Sequence, residues 1–133
     1  MGYLAALARE TVGKRMQLPG ALTDAWPELR ELRYRQGGLP LRVGGWILGR
    51  RTVAAITIGR TIFLAPGTRP DPGLLLHELR HVQQFAERKT FPIRYLWESL
   101  RRGYYANRYE ADARRYAASR LARPTGTGSK EDA

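Results

Sequence analysis

The residues with the clearest chemical potential lie between His77 and His81, where the chain reads His-Glu-Leu-Arg-His. This is the H-E-x-x-H pattern. Residues four apart share one face of a helix, so both imidazoles can point at a single cation. Glu78 then lies beside any water on that metal. The chain has only these two histidines. The stretch therefore predicts a metal centre, with Zn²⁺ as the expected cofactor.

A catalytic zinc site needs a third protein ligand and keeps one position for water. The chain has no cysteine and no further histidine, so this ligand must be a carboxylate. Glu87 lies six residues after His81 on the same predicted helix and points away from the histidine face. We favour Glu110, because a helix returning antiparallel across the first would present it to both imidazoles. The alternatives are Glu98, in the intervening helix, and the absence of any third ligand.

The carboxylates near this third ligand have competing interpretations. Asn107 and Glu110 also form a capping-box pattern, in which the glutamate would reach back to the Asn107 amide. Asp112 lies on a different face from Glu110, and it could orient a metal-bound histidine from the second shell. The other interpretation of Asp112 is a surface ion pair with Arg108 or Arg115.

Glu78 is the expected general base. Zinc lowers the pKa of a bound water to about 7, and a neighbouring carboxylate can accept its proton and pass it to a leaving amine. The alternative is that Glu78 only forms an ion pair on the helix surface with Arg80 or Arg88.

A hydrolytic site also needs a group that stabilises the developing oxyanion. Tyr104, Tyr105 and Tyr109 are the candidates for this transition-state stabiliser, and Arg108 and Tyr95 are further options. Aromatic residues at helical spacing more often belong to a hydrophobic core, so none of these residues is singled out.

The motif requires a helix, and the local signals predict one over residues 72–88. Asp71 is a good N-cap and Pro72 suits the first helical position. Two further helices are predicted downstream, over 92–102 with Gly103 as an interruption and over 107–122. Upstream, an amphipathic helix is predicted over 3–16.

A second upstream helix is predicted from Asp24, with Pro27 in its first turn and Leu29 and Leu32 facing inward, ending at Gln36-Gly37-Gly38. Between residues 39 and 65 the sequence becomes rich in residues that favour β-strands. Gly-Arg and Gly-Gly pairs separate short runs rich in β-branched residues, which predicts a small antiparallel meander. The predicted strands are 41–43, 46–48, 52–58 and 61–64. The last one either packs the motif helix or offers an edge to an extended peptide.

These elements predict an α+β fold in which a small antiparallel sheet of three or four strands packs with the motif helix and further C-terminal helices. A length of 133 residues suits one domain. We assign it to residues 1–123. Residues 124–133 are rich in Gly, Ser and Thr and end in charged residues, so a disordered tail is predicted there.

Composition narrows the range of partners. The absence of cysteine excludes disulfides, thiol nucleophiles and iron–sulfur clusters. With no signal peptide and no apolar run long enough to span a bilayer, we expect a cytoplasmic protein. The net charge of +11 favours acidic partners, and so a peptide or protein substrate with acidic character. Nucleic acid is a weaker expectation, since no nucleic-acid-binding module is recognised.

The segments around the motif resemble a known family. Residues 75–84 are similar to the active-site helix of zincin metallopeptidases, and residues 109–113 to the glutamate helix of the gluzincin branch. Residues 59–67 resemble the strand before the motif in small bacterial zincin-like domains, some of which accompany contractile injection systems. The resemblance covers roughly residues 55–120. The chain departs from metzincins because residues 82–84 contain no glycine and no third histidine.

The resemblance implies a zinc-dependent metallopeptidase in which His77, His81 and Glu110 bind the metal and Glu78 is the general base. It implies hydrolysis of peptide bonds. The chain departs from larger gluzincins, which add a second subdomain that completes the cleft, and this departure implies little room for substrate subsites. The alternative is a zinc-binding zincin-like domain without protease activity, serving as a structural or protein-interaction module.

Overall fold

The computed structural model describes residues 2–4, 12–38, 40 and 54–124. The predicted strands 41–43 and 46–48 and most of the predicted tail lie outside these ranges. Residues 5–11 of the helix predicted over 3–16 also lie outside them. Residues 3, 4 and 12 are helical, whereas residues 14–16 form a strand.

The hairpin before the motif helix forms as predicted. Strand β3 (Ala55–Ile58) and strand β4 (Thr61–Leu64) pair antiparallel. Gly59 supports the tight turn between them with φ of +61°, a backbone conformation that side chains other than that of glycine rarely adopt. Ile62 and Leu64 are completely buried. The hairpin therefore contributes directly to the core.

Two further strands come from segments that were predicted to be helical. Strand β1 (Lys14–Met16) pairs antiparallel with strand β2 (Arg33–Gln36), and β2 pairs in parallel with β4. The sheet order is β1-β2-β4-β3. Both helix predictions were wrong here, because long-range pairing satisfies these backbone groups and local periodicity does not report such pairing.

The fold class is α+β, as expected, and the sheet has four described strands. It is mixed rather than purely antiparallel because β2 and β4 run in parallel. Strand β4 lies between β2 and β3, so it does not offer the peptide-binding edge considered from the sequence. Its role is to pack the core.

The segment from Asp24 onward forms short turns instead of one long helix. Helix α1 (Gly20–Ala25) is followed by a 3₁₀ helix (Pro27–Glu31). Asp24 does not cap a helix; its carboxylate pairs with Arg30 at 2.6 Å. Leu29 and Leu32 are buried, as predicted from their spacing.

Helix α2 (Pro72–Glu87) matches the predicted motif helix closely. The Asp71 carboxylate accepts a hydrogen bond from the backbone N–H of Leu74, and Pro72 occupies the first turn. Its apolar face contributes Leu75, Leu76, Leu79 and Val82 to the core. The helix therefore begins where the sequence signals place it.

Two C-terminal helices complete the fold. Helix α3 (Phe91–Ala106) is kinked at Gly103, which has φ of +79°. Helix α4 (Arg108–Leu121) follows after Asn107. Helix α2 contacts β3 and also α4, so it lies between the sheet and the C-terminal helices. In the described ranges, none of the helices combines the length and apolar character needed to cross a bilayer.

Asn107 joins α3 to α4 and sets where α4 begins. Its side chain is completely buried. The amide nitrogen Nδ2 donates to the Tyr95 carbonyl at 3.1 Å and to Ser99 Oγ at 2.8 Å. The oxygen Oδ1 accepts from the Tyr109 backbone N–H at 2.8 Å and caps α4. One side chain therefore fixes the angle between the two helices.

We predict that Asn107→Ala lowers the free energy of unfolding by about 2–3 kcal/mol, because it removes a helix cap and leaves buried polar groups unpaired. Ser99→Ala removes only one of these hydrogen bonds and should lower it by less than about 1 kcal/mol. Urea unfolding of both variants measures the difference. Equal losses would contradict this role of Asn107.

Candidate metal centre

Helix α2 places the motif residues as its 3.6-residue period requires. The rings of His77 and His81 lie one turn apart, with centroids 5.0 Å apart and planes nearly perpendicular. His81 and Glu78 are buried, whereas His77 is partly exposed. A nitrogen from each ring and a Glu78 carboxylate oxygen lie within 4.8 Å of one another. The motif thus forms a compact donor cluster.

Glu110 lies against both histidines. Helix α4 directs its carboxylate at α2, where Oε2 is 2.8 Å from His77 Nε2 and Oε1 is 3.0 Å from His81 Nε2. The side chain is almost fully buried. Of the carboxylates weighed from the sequence, the structure brings Glu110 to the imidazoles.

The competing capping-box interpretation of Glu110 does not hold. Asn107 caps α4 alone, and its own backbone N–H donates to the Tyr104 carbonyl at 3.3 Å. The Glu110 carboxylate turns instead to the two histidines and accepts a hydrogen bond from the Tyr95 hydroxyl at 2.7 Å.

Gln84 sets the orientation of the His81 ring. Its amide nitrogen donates to the Tyr109 carbonyl at 3.1 Å and to Asp112 Oδ2 at 3.0 Å. Its amide oxygen must therefore face His81 Nδ1, 2.8 Å away. An oxygen can only accept, so Nδ1 carries a proton, and Nε2 is the nitrogen available to a metal.

Asp112 acts through Gln84 and also forms an ion pair. Its Oδ2 lies 2.6 Å from Nε of Arg80, which in turn pairs with Glu87 at 2.8 Å. Burial would raise the pKa of Asp112, but the hydrogen bonds from Arg80 and Gln84 lower it overall. Asp112 thus stays charged and fixes Gln84. Its ion-pair partner is Arg80, although the charge of Arg115 also contributes.

Thr57 on β3 orients the general-base candidate. Its hydroxyl lies 2.6 Å from Glu78 Oε2 and 3.2 Å from the Glu78 carbonyl oxygen. A single hydroxyl proton is shared between these acceptors, and the charged carboxylate is the stronger one. Strand β3 thereby holds the Glu78 side chain against the histidine face of α2.

Electrostatics at the centre are dominated by the buried Glu110 carboxylate. Burial would raise its pKa, but hydrogen bonds from His77 and His81, the charge of His81 and the Tyr95 hydroxyl hold the pKa far below its ordinary value. For His81, burial opposes protonation, yet the hydrogen bond to Glu110 and the charges of Glu78 and Glu110 raise the pKa to about 9. Burial, and then Glu110, raise the pKa of Tyr95, which keeps its hydroxyl protonated.

The other residues considered from the sequence lie in different surroundings. Glu98 is buried and faces Arg102 and Arg108, with N···O distances of 3.6 and 3.7 Å. Glu87 pairs with Arg80 on the outer side of α2. Neither carboxylate is among the residues hydrogen-bonded to the histidines.

The three tyrosine candidates for transition-state stabiliser differ in their placement. Tyr105 is 78% exposed and its ring packs under Arg114. Tyr109 packs its ring edge-on against Phe91. Tyr104 is half-buried and close enough to Tyr95 to raise the pKa of that hydroxyl. These three assignments stay predictions.

Sequence reasoning missed two residues that position the site. Gln84 lies three residues after His81 on the same helix face, and this spacing was the available signal. Thr57 gave no signal, because it is one of several threonines in a β-rich run and meets Glu78 only through tertiary packing. Tyr95 was named only as a further option, and its hydroxyl contacts Glu110 directly.

The donor set fits a divalent metal such as zinc. Two imidazole nitrogens and a carboxylate are a ligand set typical of a catalytic zinc site. With bonds of about 2.0 Å, neighbouring donors of a tetrahedral site lie about 3.3 Å apart. The His77–Glu110 and His81–Glu110 contacts of 2.8 and 3.0 Å are within about half an ångström of that spacing. The Gln84 contact supplies the hydrogen-bonded second shell that such histidines usually have.

Comparison with known proteins gives one family match. The family model of the eCIS core domain, a zinc-metalloprotease-like domain, matches residues 49–89. This segment contains β3, β4, α2 and the whole His77–His81 motif, but less than half of the chain. Glu110 lies outside it. Searches of curated proteins and of solved structures find no match.

We predict that the purified protein carries about one zinc per chain and that Glu110→Gln abolishes this, because an amide is a far weaker ligand than a carboxylate. His81→Ala should also abolish it. Glu87→Gln is the matched control, since Glu87 pairs with Arg80 away from the histidines. Elemental analysis measures the metal. Full zinc content in Glu110→Gln would rule out Glu110 as a required ligand.

The raised pKa of His81 predicts a pH-dependent response to zinc. In the metal-free protein, protonated His81 stabilises the fold below pH 6.5, and this contribution is lost as pH rises from 6.5 to about 9. In the zinc-bound form the metal takes the place of that proton, so this form should not lose stability over the same pH range. The increase in Tm caused by zinc should therefore grow from pH 6.5 to 9 and then level off.

Thermal unfolding with stoichiometric zinc or a chelator, at a series of pH values, measures this increase. Glu110→Gln should weaken the metal-free pH dependence and remove the zinc effect, because Glu110 is the main group that raises the pKa of His81, with Glu78 and Gln84 contributing as well. A zinc-induced increase that is constant across this pH range would contradict the assignment.

Proposed function

We propose that this chain is a zinc-dependent metallopeptidase that hydrolyses peptide bonds, with Glu78 as the general base. One observation carries the proposal: Glu110, from a separate helix, lies against both motif histidines, while a Glu78 carboxylate oxygen lies within 4.8 Å of a nitrogen of each imidazole. Three donors and a proton acceptor thus converge in one place. The match to a zinc-metalloprotease-like domain supports the same proposal.

The residues have distinct roles in this mechanism. His77, His81 and Glu110 would hold the metal, which when bound supplies a water of pKa about 7 and polarises the substrate carbonyl. A Glu78 carboxylate oxygen accepts the proton as the water oxygen bonds to the carbonyl carbon. Glu78 then transfers this proton to the amide nitrogen as the C–N bond breaks. Thr57 keeps Glu78 oriented through both steps.

Tyr95 is a positioning residue in this proposal. Its hydroxyl donates to Glu110 Oε1, and its ring packs edge-on against His81 with centroids 5.9 Å apart. It therefore restricts a ligand carboxylate and a ligand ring together. The net charge of +11 supports a substrate with acidic character, because long-range attraction raises its local concentration.

A second candidate is a zinc-binding interaction domain without peptidase activity. The burial of Glu78 favours it, since only 6% of that residue is exposed and its carboxylate accepts a hydrogen bond from Thr57. A general base must reach a water beside the substrate. In this alternative Glu78 would tie β3 to α2, and the metal would stiffen the contact between α2 and α4.

Glu78→Gln separates the two candidates. Glutamine keeps an oxygen that can accept the Thr57 hydrogen bond but cannot act as a base. For a peptidase we expect turnover to fall by about 10²–10⁴-fold while zinc content is unchanged. The assay incubates zinc-loaded protein with a mixed peptide library, and mass spectrometry identifies the new termini.

Glu87→Gln is the control that should retain both turnover and zinc. Cleavage by the original protein that survives in Glu78→Gln would exclude Glu78 as the base. If the zinc-loaded original protein produces no new termini in such a library, the interaction-domain candidate is favoured instead.

A further inference from the structure

Helix α3 carries an apolar stripe that faces solvent. The stripe consists of Ile93, Leu96, Trp97 and Leu100, whose spacing places them on one helix face. Their exposed fractions are 75%, 38%, 63% and 79%, in the same order. The largest contiguous apolar patch on a soluble protein commonly measures a few hundred Å² and often has a function, so this stripe is a candidate interaction surface. The opposite face of α3 is the one that packs inward, through Phe91 and Glu98.

A cationic cavity opens between α2, α3 and α4. Its volume is about 450 Å³. Among the described residues, its lining holds five arginines against two carboxylates, and both carboxylates, Glu87 and Asp112, already pair with Arg80. The other four arginines are Arg88, Arg94, Arg108 and Arg115. Of these, Arg108 also lies 3.7 Å from Glu98, and Arg94 donates to the Thr90 hydroxyl through Nε, which leaves its terminal nitrogens for a ligand. A guanidinium group can donate bidentate hydrogen bonds to two oxygens of one phosphate. The cavity is therefore suited to a phosphate group.

The stripe and the cavity adjoin each other on α3. Arg94 lines the cavity and directly follows Ile93 of the stripe, about 100° further around the helix. An apolar face bordered by arginines is typical of helices that lie in the interface of a bilayer. We propose that this face docks the protein on an anionic phospholipid membrane, with the stripe inserted among acyl chains and the cavity receiving lipid phosphate.

Charge complementarity favours a lipid surface over a protein partner or a second copy of this chain. A net charge of +11 attracts the protein to an anionic bilayer and repels another copy. Four side chains on one helix also expose less area than the roughly 800 Å² that each partner buries in a typical stable protein interface. Insertion into a bilayer needs no such area, since lipid closes around whatever is inserted.

The test is co-sedimentation of the zinc-loaded full chain with vesicles of phosphatidylcholine, with and without phosphatidylserine. We expect binding only when phosphatidylserine is present, and its loss as salt rises from about 0.1 M to 1 M and shortens the Debye length from about 10 Å to 3 Å. Arg88→Gln/Arg94→Gln should weaken binding by about 25-fold, at about fivefold for each basic residue. Trp97→Ser/Leu100→Ser should weaken it at least about tenfold.

Two controls match these variants. Arg33→Gln/Arg69→Gln removes the same charge from exposed positions that do not line the cavity, and Ile58→Ser removes an exposed apolar side chain from β3. An intermediate loss in the arginine control is expected from net charge alone, but equal losses in test and control variants would overturn the docking face.

A second measurement detects insertion of the stripe directly. Phospholipids brominated on their acyl chains should quench Trp97 fluorescence in the original protein, and Trp97→Phe should remove this quenching. Absence of quenching while protein sediments with the vesicles would overturn insertion of the stripe. A stable dimer that Trp97→Ser/Leu100→Ser converts to monomer would overturn the membrane proposal in favour of self-association.

Discussion

The buried Glu110 carboxylate is the constraint around which the C-terminal half of the molecule is organised. A charge this deeply buried is strongly destabilising unless opposite charge and hydrogen bonds compensate it. His77, His81 and Tyr95 supply that compensation from two other helices. Three helices must therefore meet at one point. The same arrangement that keeps the carboxylate ionised brings together the side chains that we propose as metal ligands.

The surroundings of this carboxylate form a connected chain of polar contacts. Arg80 fixes Asp112, Asp112 fixes Gln84, and Gln84 holds the ring of His81. Each link restricts the rotation of the next side chain, so the donor atoms are oriented before any ligand arrives. Such preorganisation is what a metal or catalytic site requires. The sheet contributes separately, through the hydrogen bond from Thr57 to Glu78.

Residues close in sequence thus serve two different surfaces. On α3, Tyr95 points inward to Glu110, whereas Trp97, two residues later, faces solvent beside the arginine-lined cavity. The helical period separates them onto opposite sides. One helix can therefore contribute to the candidate metal centre with one side and to the proposed docking face with the other.

Local patterns in the sequence determined the elements that carry chemistry. Asp71, Pro72 and the four-residue histidine spacing defined the motif helix. Glu110 was favoured over Glu98 because a helix returning antiparallel would present it to both imidazoles. Local patterns failed at Lys14–Met16 and Arg33–Gln36, where pairing with distant strands replaced the predicted helices. Only the tertiary structure decided that Glu110 turns to the histidines instead of capping α4, and that Thr57 and Gln84 orient the site. Periodicity reports which face a residue occupies on its own element, while the identity of its partner depends on how distant elements pack.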